Sequence, residues 1–176
     1  VCDVIFEDCR VPADAILGGM ERLNRGFESA MKTLDRGRLH ISALAVGCAN
    51  RLIDESLRFA RDRKQFGQPI AQFQLIQAML ADSKAEAYAA ECMVLDAARR
   101  RDAGESVSTF ASCAKLFATE MVGRVADRAV QIHGGAGYMD EYAVSRFYRD
   151  VRLFRIYEGT SQIQQTIIAR NMIREG

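Results

Sequence analysis

The sequence predicts an all-α protein, and three observations carry that prediction. Only two prolines occur in 176 residues, below the usual share of about 5%, so little interrupts a helix. Apolar residues recur every three or four positions over long stretches, and short glycine-containing segments separate these stretches. We therefore predict an antiparallel up-down four-helix bundle of long helices, preceded by a short orphan β segment.

Composition argues against several functional classes. The chain has 24 basic and 23 acidic residues, a net charge of +1, whereas a nucleic-acid binder needs a basic excess or stripe. No apolar run reaches the ~18 residues of a membrane span. The five cysteines are widely spaced, which predicts neither a disulfide framework nor a metal site. We expect Cys48, Cys92 and Cys113 to be reduced and packed in the core.

The first residues differ from the rest of the chain. Val4–Phe6 is β-branched and aromatic, and Val11-Pro12 follows, a pattern typical of a strand and its exit loop. No later segment resembles a sheet that could pair with it. We therefore expect its partners upstream or in another chain. On this interpretation residues 1–16 end another domain, and residues 17–176 form the helical domain of a longer protein.

Apolar periodicity predicts three long helices. The first covers residues 24–63, and Gly37 marks a place where it could break. The second covers residues 73–101, and the third runs from residue 106 or 108 to residue 133. The predicted apolar side of the second helix is formed by Leu75, Met79, Leu80, Ala85, Tyr88, Cys92 and Leu95.

Two shorter helices follow. One is predicted over residues 143–148 and the last over residues 161–174, where Ser161 and Gln164 have the spacing of a capping box. The long helices carry apolar or small residues on more than one side. This favours packing against another domain or subunit as well as within the bundle.

Two segments at predicted helix ends have both a structural and a functional interpretation. Arg61–Gly67 is either a basic helix end with a glycine cap or a phosphate site in which Arg63 makes a bidentate contact. Gln131–Tyr138 is either a helix stop or a glycine turn that lets a nucleotide approach backbone N–H groups. It is not a Rossmann fingerprint, because a helix precedes it.

A third segment, Ile156–Gln164, contains Glu158. Its carboxylate either interacts favourably with the positive N-terminal end of the last helix or, in a dry pocket, acts as a base. Other catalytic arrangements are missing from the sequence. His40 and His133 lack a nucleophile motif, and no Glu-x-x-His pair indicates a di-metal bundle.

Four motifs together resemble the C-terminal helical domain of the acyl-CoA dehydrogenase family. They are Arg63-Lys-Gln-Phe-Gly67, Gln131-Ile-His-Gly-Gly-Ala-Gly-Tyr138, Tyr148-Arg-Asp150 and Tyr157-Glu-Gly-Thr-Ser161. The resemblance covers essentially the whole chain and implies FAD-dependent α,β-dehydrogenation of an acyl-CoA thioester to the trans-2-enoyl-CoA. It also implies a homotetramer built as a dimer of dimers, and an electron-transfer flavoprotein or a similar acceptor. The implied location is the cytoplasm of a bacterium or the mitochondrial matrix of a eukaryote.

The resemblance also implies residue roles. Glu158 takes the position of the base that removes the α-proton, while a backbone N–H and a flavin hydroxyl polarise the thioester carbonyl. Some family members place the base on the first long helix, where this chain has Gly37. The residues implied to contact substrate are Asp35, Arg38, Gly159 and Arg170. Those implied to contact FAD are Thr160 and Gln162 in the same subunit, and Arg63, Gln65, Phe66, Phe73, Gln74, Gln131, Ile132, His133, Gly134 and Gly135 toward a neighbouring subunit.

Two further readings remain open. The chain could belong to an acyl-CoA oxidase or related flavoenzyme of the same fold, or it could be a non-catalytic helical oligomerisation module. Glu158 favours an enzyme, because a scaffold would not need a carboxylate there. Family members also have an N-terminal helical domain and a middle β-domain, which we expect to lie outside residues 1–176. We therefore expect the isolated chain to be inactive or nearly so.

Overall fold

A computed structural model describes residues 2–175, without the side chains at positions 32, 35 and 175. Two compact units are present, one up to Leu34 and one from Asp35 onward. The all-α class is confirmed, and the described residues form five α-helices at the five predicted places. Their bounds are α1 Gly26–Asp62, α2 Gln74–Asp102, α3 Ser108–His133, α4 Ala143–Arg152 and α5 Ser161–Glu175.

Val4–Phe6, predicted as a strand with partners outside this chain, is not paired as a strand in the described residues. Val4, Ile5 and Phe6 are about three-quarters exposed, and no strand occurs between residues 2 and 25. A strand requires a neighbour that completes its hydrogen-bond ladder, and the described part of the chain supplies none. The regular structure in this unit is limited to short 3₁₀ turns at Ala13–Ala15 and Met20–Arg22 and the start of α1.

The first long helix is continuous, so the break considered near Gly37 is absent. After Asp62 the chain forms a small antiparallel hairpin from β1, Lys64–Gln65, and β2, Gln68–Pro69. Phe66 and Gly67 make its two-residue turn with φ values of 51° and 81°. Two successive positive φ values are typical of a turn whose twist matches that of the strands.

The predicted apolar side of α2 is wrong. Leu75 and Tyr88 are 80% and 64% exposed, and Cys92 is exposed, so its assignment to the core is also wrong. Small residues form the buried side instead: Ser83, Ala87, Ala90 and Ala97. Both sides of α2 have apolar residues at helical spacing, and the small side chains allow the closer approach to α3. The larger ones remain on the outer surface.

Helix α3 is the centre of the larger unit and packs against α2, α4 and α5. Its residues Met121, Val122 and Val125 are 0–1% exposed and share a cluster with Leu52 of α1. Each buried side chain of this size contributes about 1.5–3 kcal/mol of hydrophobic stabilisation. The core therefore fixes α3 firmly, and polar side chains on α3 have well-defined positions.

Two absences hold for residues 2–175. No helix there is both long and apolar enough to cross a membrane. No group of three or more His, Cys, Asp or Glu side chains is placed to hold a metal ion. The cysteines are free, with Cys48 and Cys113 half-buried.

Candidate active site

Glu158 lies in the connection between α4 and α5, in an unusual backbone conformation. Its φ of 55° and the 88° of Gly159 place two consecutive residues in the left-handed region. For a residue with a Cβ this conformation costs about 1–2 kcal/mol, and it persists only where the surroundings hold it. The turn at Glu158 and Gly159 therefore depends on contacts from elsewhere in the unit.

Two buried side chains hold this turn through its carbonyl oxygens. Lys115, on α3, donates from Nζ to the carbonyl oxygen of Gly159 at 2.7 Å. Gln164, in the first turn of α5, donates from Nε2 to the carbonyl oxygens of Glu158 at 3.2 Å and Gly159 at 3.1 Å. Both side chains are 0% exposed. The turn is thus tied to α3 and to α5 at the same oxygen.

Lys115 is an ionisable group in a buried position. The pKa of its ammonium group is lowered from 10.5 to about 8, mainly by burial and partly by nearby Arg38, against the opposing charges of Glu120 and Glu158. The amine therefore lies among groups of both signs. Because a buried cation is costly without partners, the hydrogen bond from Lys115 to the Gly159 carbonyl stabilises the ammonium group in this position.

Glu120 ties the start of α5 to α3. Its Oε1 accepts from the Ser161 hydroxyl at 2.6 Å, and its Oε2 accepts from Nη1 of Arg155 at 3.1 Å. The Arg155 guanidinium lies on α3 at Gly123, where a Cβ would come within 3.0 Å of Nη2. The residues on both sides of Glu158 are therefore anchored to the same helix.

The predicted capping box at Ser161 and Gln164 is wrong. The hydroxyl of Thr160 accepts from the backbone N–H of Ile163 at 3.3 Å, so Thr160 is the N-cap of α5. The Ser161 and Gln164 side chains have other partners, namely Glu120 and the carbonyls of the Glu158 turn. Tertiary contacts have taken over both side chains that the spacing assigned to the cap.

The Glu158 carboxylate lies against the backbone of α1 at Gly37. A Cβ built on Gly37 would be 2.8 Å from Cδ of Glu158 and 3.3 Å from Oε1, and it would also contact Oε2. Oε2 is buried and has no hydrogen-bond partner among the described residues. A buried carboxylate oxygen is normally paired, so an unpartnered one indicates a group reserved for a ligand or a proton.

A second surface forms where α1 and α3 end. Ile70, which follows the hairpin, packs with Ala60 of α1 and Ile132 of α3. The His133 ring stacks on Phe59 with a centroid distance of 4.2 Å. The two segments predicted to bind the ADP half of FAD, Arg63–Gln74 and Gln131–Gly135, are therefore neighbours.

Residues at this second surface differ in what they present to a ligand. Phe66 is 92% exposed, and Arg63, Gln65, Gln74 and Gln131 are exposed, while Phe73 is half-buried. A Cβ at Gly134 or Gly135 would meet nothing within 4 Å, so the glycine backbone is open to contact.

The side chains of Ile132 and His133 point into the protein. They are 4% and 6% exposed, and Nδ1 of His133 lies 2.8 Å from the Ala129 carbonyl oxygen. Burial lowers the pKa of His133, which its contact with that carbonyl and the charge of Glu55 oppose. A ligand on this surface would meet the backbone of these two residues and not their side chains.

The two candidate surfaces are far apart within one chain. Gly37 and Asp62 both lie on α1, and at 1.5 Å per residue about 38 Å of helix separates them. Glu158 lies against Gly37, whereas Arg63 follows Asp62.

The remaining predicted site residues have varied positions. Arg38 is 7% exposed and adjoins Gly37 in sequence, and Gly159 belongs to the Glu158 turn. Gln162 and Arg170 are exposed on α5, with Arg170 about 13 Å further along the helix than Ser161. The Asp35 side chain lies outside the described residues.

Three polar residues of this site were absent from the sequence predictions: Lys115, Glu120 and Gln164 in its tertiary role. A signal for one of them was present. Lys115 lies between Ala114 and Ala118, on the side of the third helix that the apolar periodicity predicts to be buried. A lysine in that position indicates a specific buried partner.

Comparison with known proteins supplies the family. The sequence profile of the acyl-CoA dehydrogenase C-terminal domain matches residues 24–173. The chain belongs to the acyl-CoA dehydrogenase family. It is 49% identical over 172 residues to a probable acyl-CoA dehydrogenase of Bacillus subtilis, covering 98% of this chain and 44% of the relative. The match to that family therefore extends over nearly every residue described above.

Two further similar proteins are informative. The CarC subunit of the caffeyl-CoA reductase–Etf complex of Acetobacterium woodii is 45% identical over 173 residues, covering 98% of this chain and 45% of CarC. The butyryl-CoA dehydrogenase structure from Megasphaera elsdenii has a TM-score of 0.90 and 38% identity, covering 97% of this chain and 44% of that one. This chain spans somewhat less than half the length of these relatives.

Proposed function

We propose that this chain is the C-terminal helical domain of an FAD-dependent acyl-CoA dehydrogenase in which Glu158 removes the α-proton of the acyl thioester. The observation that carries the proposal is the buried, unpartnered Oε2 of Glu158 beside Gly37. Removing the α-proton requires a carboxylate that can accept a proton without first giving up another partner. Family membership supplies the reaction in which such a base is needed.

The proton and the electrons have separate destinations in this reaction. The α-proton goes to the Glu158 carboxylate, and the electron pair of the broken α C–H bond forms the second bond between the α- and β-carbons of the trans-2-enoyl thioester. FAD, when bound, supplies the acceptor for the hydrogen that leaves the β-carbon as hydride. The backbone N–H at Glu158 is the donor that the family resemblance assigns to the thioester oxygen.

Residues at both surfaces fit a flavin dinucleotide. Open glycine backbone follows α3, and exposed Arg63 and Phe66 follow α1, a set suited to phosphate and a flat ring. Near Glu158, Thr160 and Gln162 are the residues we assign to the flavin side. We assign Arg38, Gly159, Arg170 and Asp35 to the acyl-CoA side, on the resemblance alone.

We infer that the enzyme works as a homotetramer in which neighbouring subunits share each FAD. The separation of about 38 Å along α1 supports this, because one cofactor cannot reach both surfaces of one chain. The exposed apolar residues of α2, such as Leu75 and Tyr88, support it as well. The domain boundary near residue 16 is part of the same proposal.

The electron acceptor and the direction of the reaction belong to the same proposal. We propose an electron-transfer flavoprotein as the acceptor, because one relative is named as a subunit of a reductase–Etf complex. That relative is named a reductase, and the same base can return a proton to the α-carbon. Reduction of an enoyl-CoA is therefore the second candidate. The two directions are distinguished by comparing two rates: reduction of enoyl-CoA by reduced flavoprotein, and dehydrogenation of acyl-CoA with oxidised flavoprotein.

The proposal is tested by Glu158→Gln in the full-length flavoprotein. We expect this variant to keep its yellow FAD and bind acyl-CoA, yet fail to bleach the flavin. Glu91→Gln, which changes an exposed carboxylate on α2, is the matched control and bleaches normally. Normal bleaching by Glu158→Gln would remove this residue from the mechanism. Hydrogen peroxide formation by the wild type, measured in air, would identify an oxidase instead.

A further inference from the structure

We propose that Lys115 is a positioning residue that holds Glu158 in its active orientation, with Gln164 as the second support. This inference rests on the proposed role of Glu158 as the base. The two side chains bind the carbonyl oxygens of Glu158 and Gly159 from opposite helices, α3 and α5.

The orientation of Glu158 depends on its backbone more than on its own side-chain bonds. Oε2 has no hydrogen-bond partner in the described part of the chain, so no polar contact there fixes that oxygen. What places the carboxylate is the left-handed turn at Glu158 and Gly159 and its packing against Gly37. A change in that turn therefore moves the carboxylate directly.

Lys115 is the side chain best placed to hold that turn. Lys115 lies 44 positions before Gly159 in the sequence. Its Nζ donates to the Gly159 carbonyl oxygen at 2.7 Å, and this hydrogen bond is shorter than either of those from Gln164. Without it, the bond from Gln164 would be the remaining side-chain contact of that oxygen, and the left-handed backbone would lose its strongest support. Lys115 and Gln164 are both 0% exposed, so neither is placed to touch substrate.

This arrangement predicts a loss of rate without a loss of binding. A displacement of about 1 Å in a catalytic group can cost about 100-fold in rate, whereas Gly159 is the one residue of this turn that we assign to acyl-CoA. The expected signature of a Lys115 variant is therefore a slower proton abstraction with a much smaller change in acyl-CoA affinity. A side chain that only stabilised the fold would change flavin content and thermal stability, and would leave the rate constant of the folded enzyme unchanged.

The experiment compares Lys115→Met with Lys84→Met in the full-length flavoprotein. Methionine keeps much of the volume and removes the donor, and Lys84 is an exposed lysine on α2. Three quantities are measured: FAD content, butyryl-CoA affinity and the rate constant of flavin bleaching. A fourth isolates the base: exchange with D₂O of the α-hydrogens of an acyl-CoA that carries sulfur in place of its β-carbon and so cannot be dehydrogenated.

We expect Lys115→Met to slow both bleaching and α-hydrogen exchange by about 10- to 100-fold, with normal FAD content and a much smaller change in butyryl-CoA affinity, while Lys84→Met matches the wild type. Wild-type exchange in Lys115→Met would overturn the inference. If Lys115→Met loses its flavin, Gln164→Met decides by the same two rates. Glu158→Gln is measured in the same experiment. Normal α-hydrogen exchange in Glu158→Gln would contradict the proposed function itself. Slow exchange in Glu158→Gln together with wild-type exchange in Lys115→Met would contradict the positioning role alone.

Discussion

The carboxylate of Glu158 and the Cα of Gly37 share one small space between a loop and a helix. A Cβ on Gly37 would lie 2.8 Å from Cδ of Glu158, closer than atoms of this kind approach one another in proteins. The two positions are therefore alternatives for the same volume. This agrees with the family resemblance, under which the base is supplied either from the loop or from the first long helix. A base at Glu158 therefore requires a glycine at position 37.

Gly37→Ala tests this relationship in the full-length flavoprotein. The added methyl group displaces the Glu158 carboxylate, so we expect the bleaching rate constant to fall by about 10-fold or more. Gly47→Ala is the matched control on the same helix, because a Cβ there meets nothing within 4 Å. That control stabilises the helix by about 0.5–1 kcal/mol and leaves the rate unchanged. Equal rates in the two variants would show that the carboxylate moves aside freely.

Arg63→Ala tests the second surface. Arg63 is exposed where the chain leaves α1, beside the turn that carries Phe66, and we assign it to a phosphate of FAD. Removing a charge-assisted contact weakens binding by about 1.5–3 kcal/mol, so we expect a 10- to 100-fold weaker FAD affinity by fluorescence titration, with an unchanged helical circular dichroism signal. Arg61→Ala, two residues earlier in the last turn of α1, is the control. Equal FAD affinity in both variants would refute the phosphate role.

Thr160→Ala tests the cap of α5 that replaces the predicted one. The Thr160 hydroxyl accepts from the Ile163 N–H, and loss of an N-cap costs about 1 kcal/mol. We therefore expect a lower unfolding midpoint. Thr166→Ala, in the exposed middle of α5 where the hydroxyl bonds to the Gln162 carbonyl, has the opposite sign because alanine is the better helix former. Similar midpoints for the two variants would contradict this capping assignment.

Periodicity predicts the helices well because each long helix buries a regular stripe. The predicted ranges 24–63 and 73–101 lie within two residues of the observed α1 and α2 at every end. Which face of a helix is buried is harder to predict, as α2 illustrates. Large and small apolar residues both follow the helical period there, and sequence alone does not reveal that the small side, with Ala87 and Ala90, meets α3.

The site illustrates a second limit. Glu158, Gly37 and the glycine turn are recognisable from motifs because they lie in distinctive short segments. Lys115 and Glu120 are not, because their roles come from contacts across about 40 residues that only packing determines. The strand predicted at Val4–Phe6 stays a prediction for a related reason, since a strand is defined by a partner and the expected partner lies outside this chain.

The buried lysine makes a prediction about pH. Its pKa falls from 10.5 to about 8 on folding, mainly through burial. At about pH 7 and below, Lys115 is charged in both the folded and the unfolded chain. The full cost of burying that charge then lowers the free energy of unfolding. Between pH 8 and 10.5 the unfolded chain binds more protons than the folded one, so the contribution of Lys115 to the free energy of unfolding rises with pH through that window.

Lys115→Met removes this titration. We therefore expect the wild type to gain stability relative to Lys115→Met as the pH rises from about 7.5 to about 10, by at most about 3 kcal/mol. The measurement is the unfolding midpoint of both full-length proteins over that range. Lys84→Met, which removes an exposed lysine, is the control and should run parallel to the wild type. Parallel curves for Lys115→Met and the wild type would mean that Lys115 titrates alike in both states, and the gap between them would then report only its hydrogen bond to Gly159.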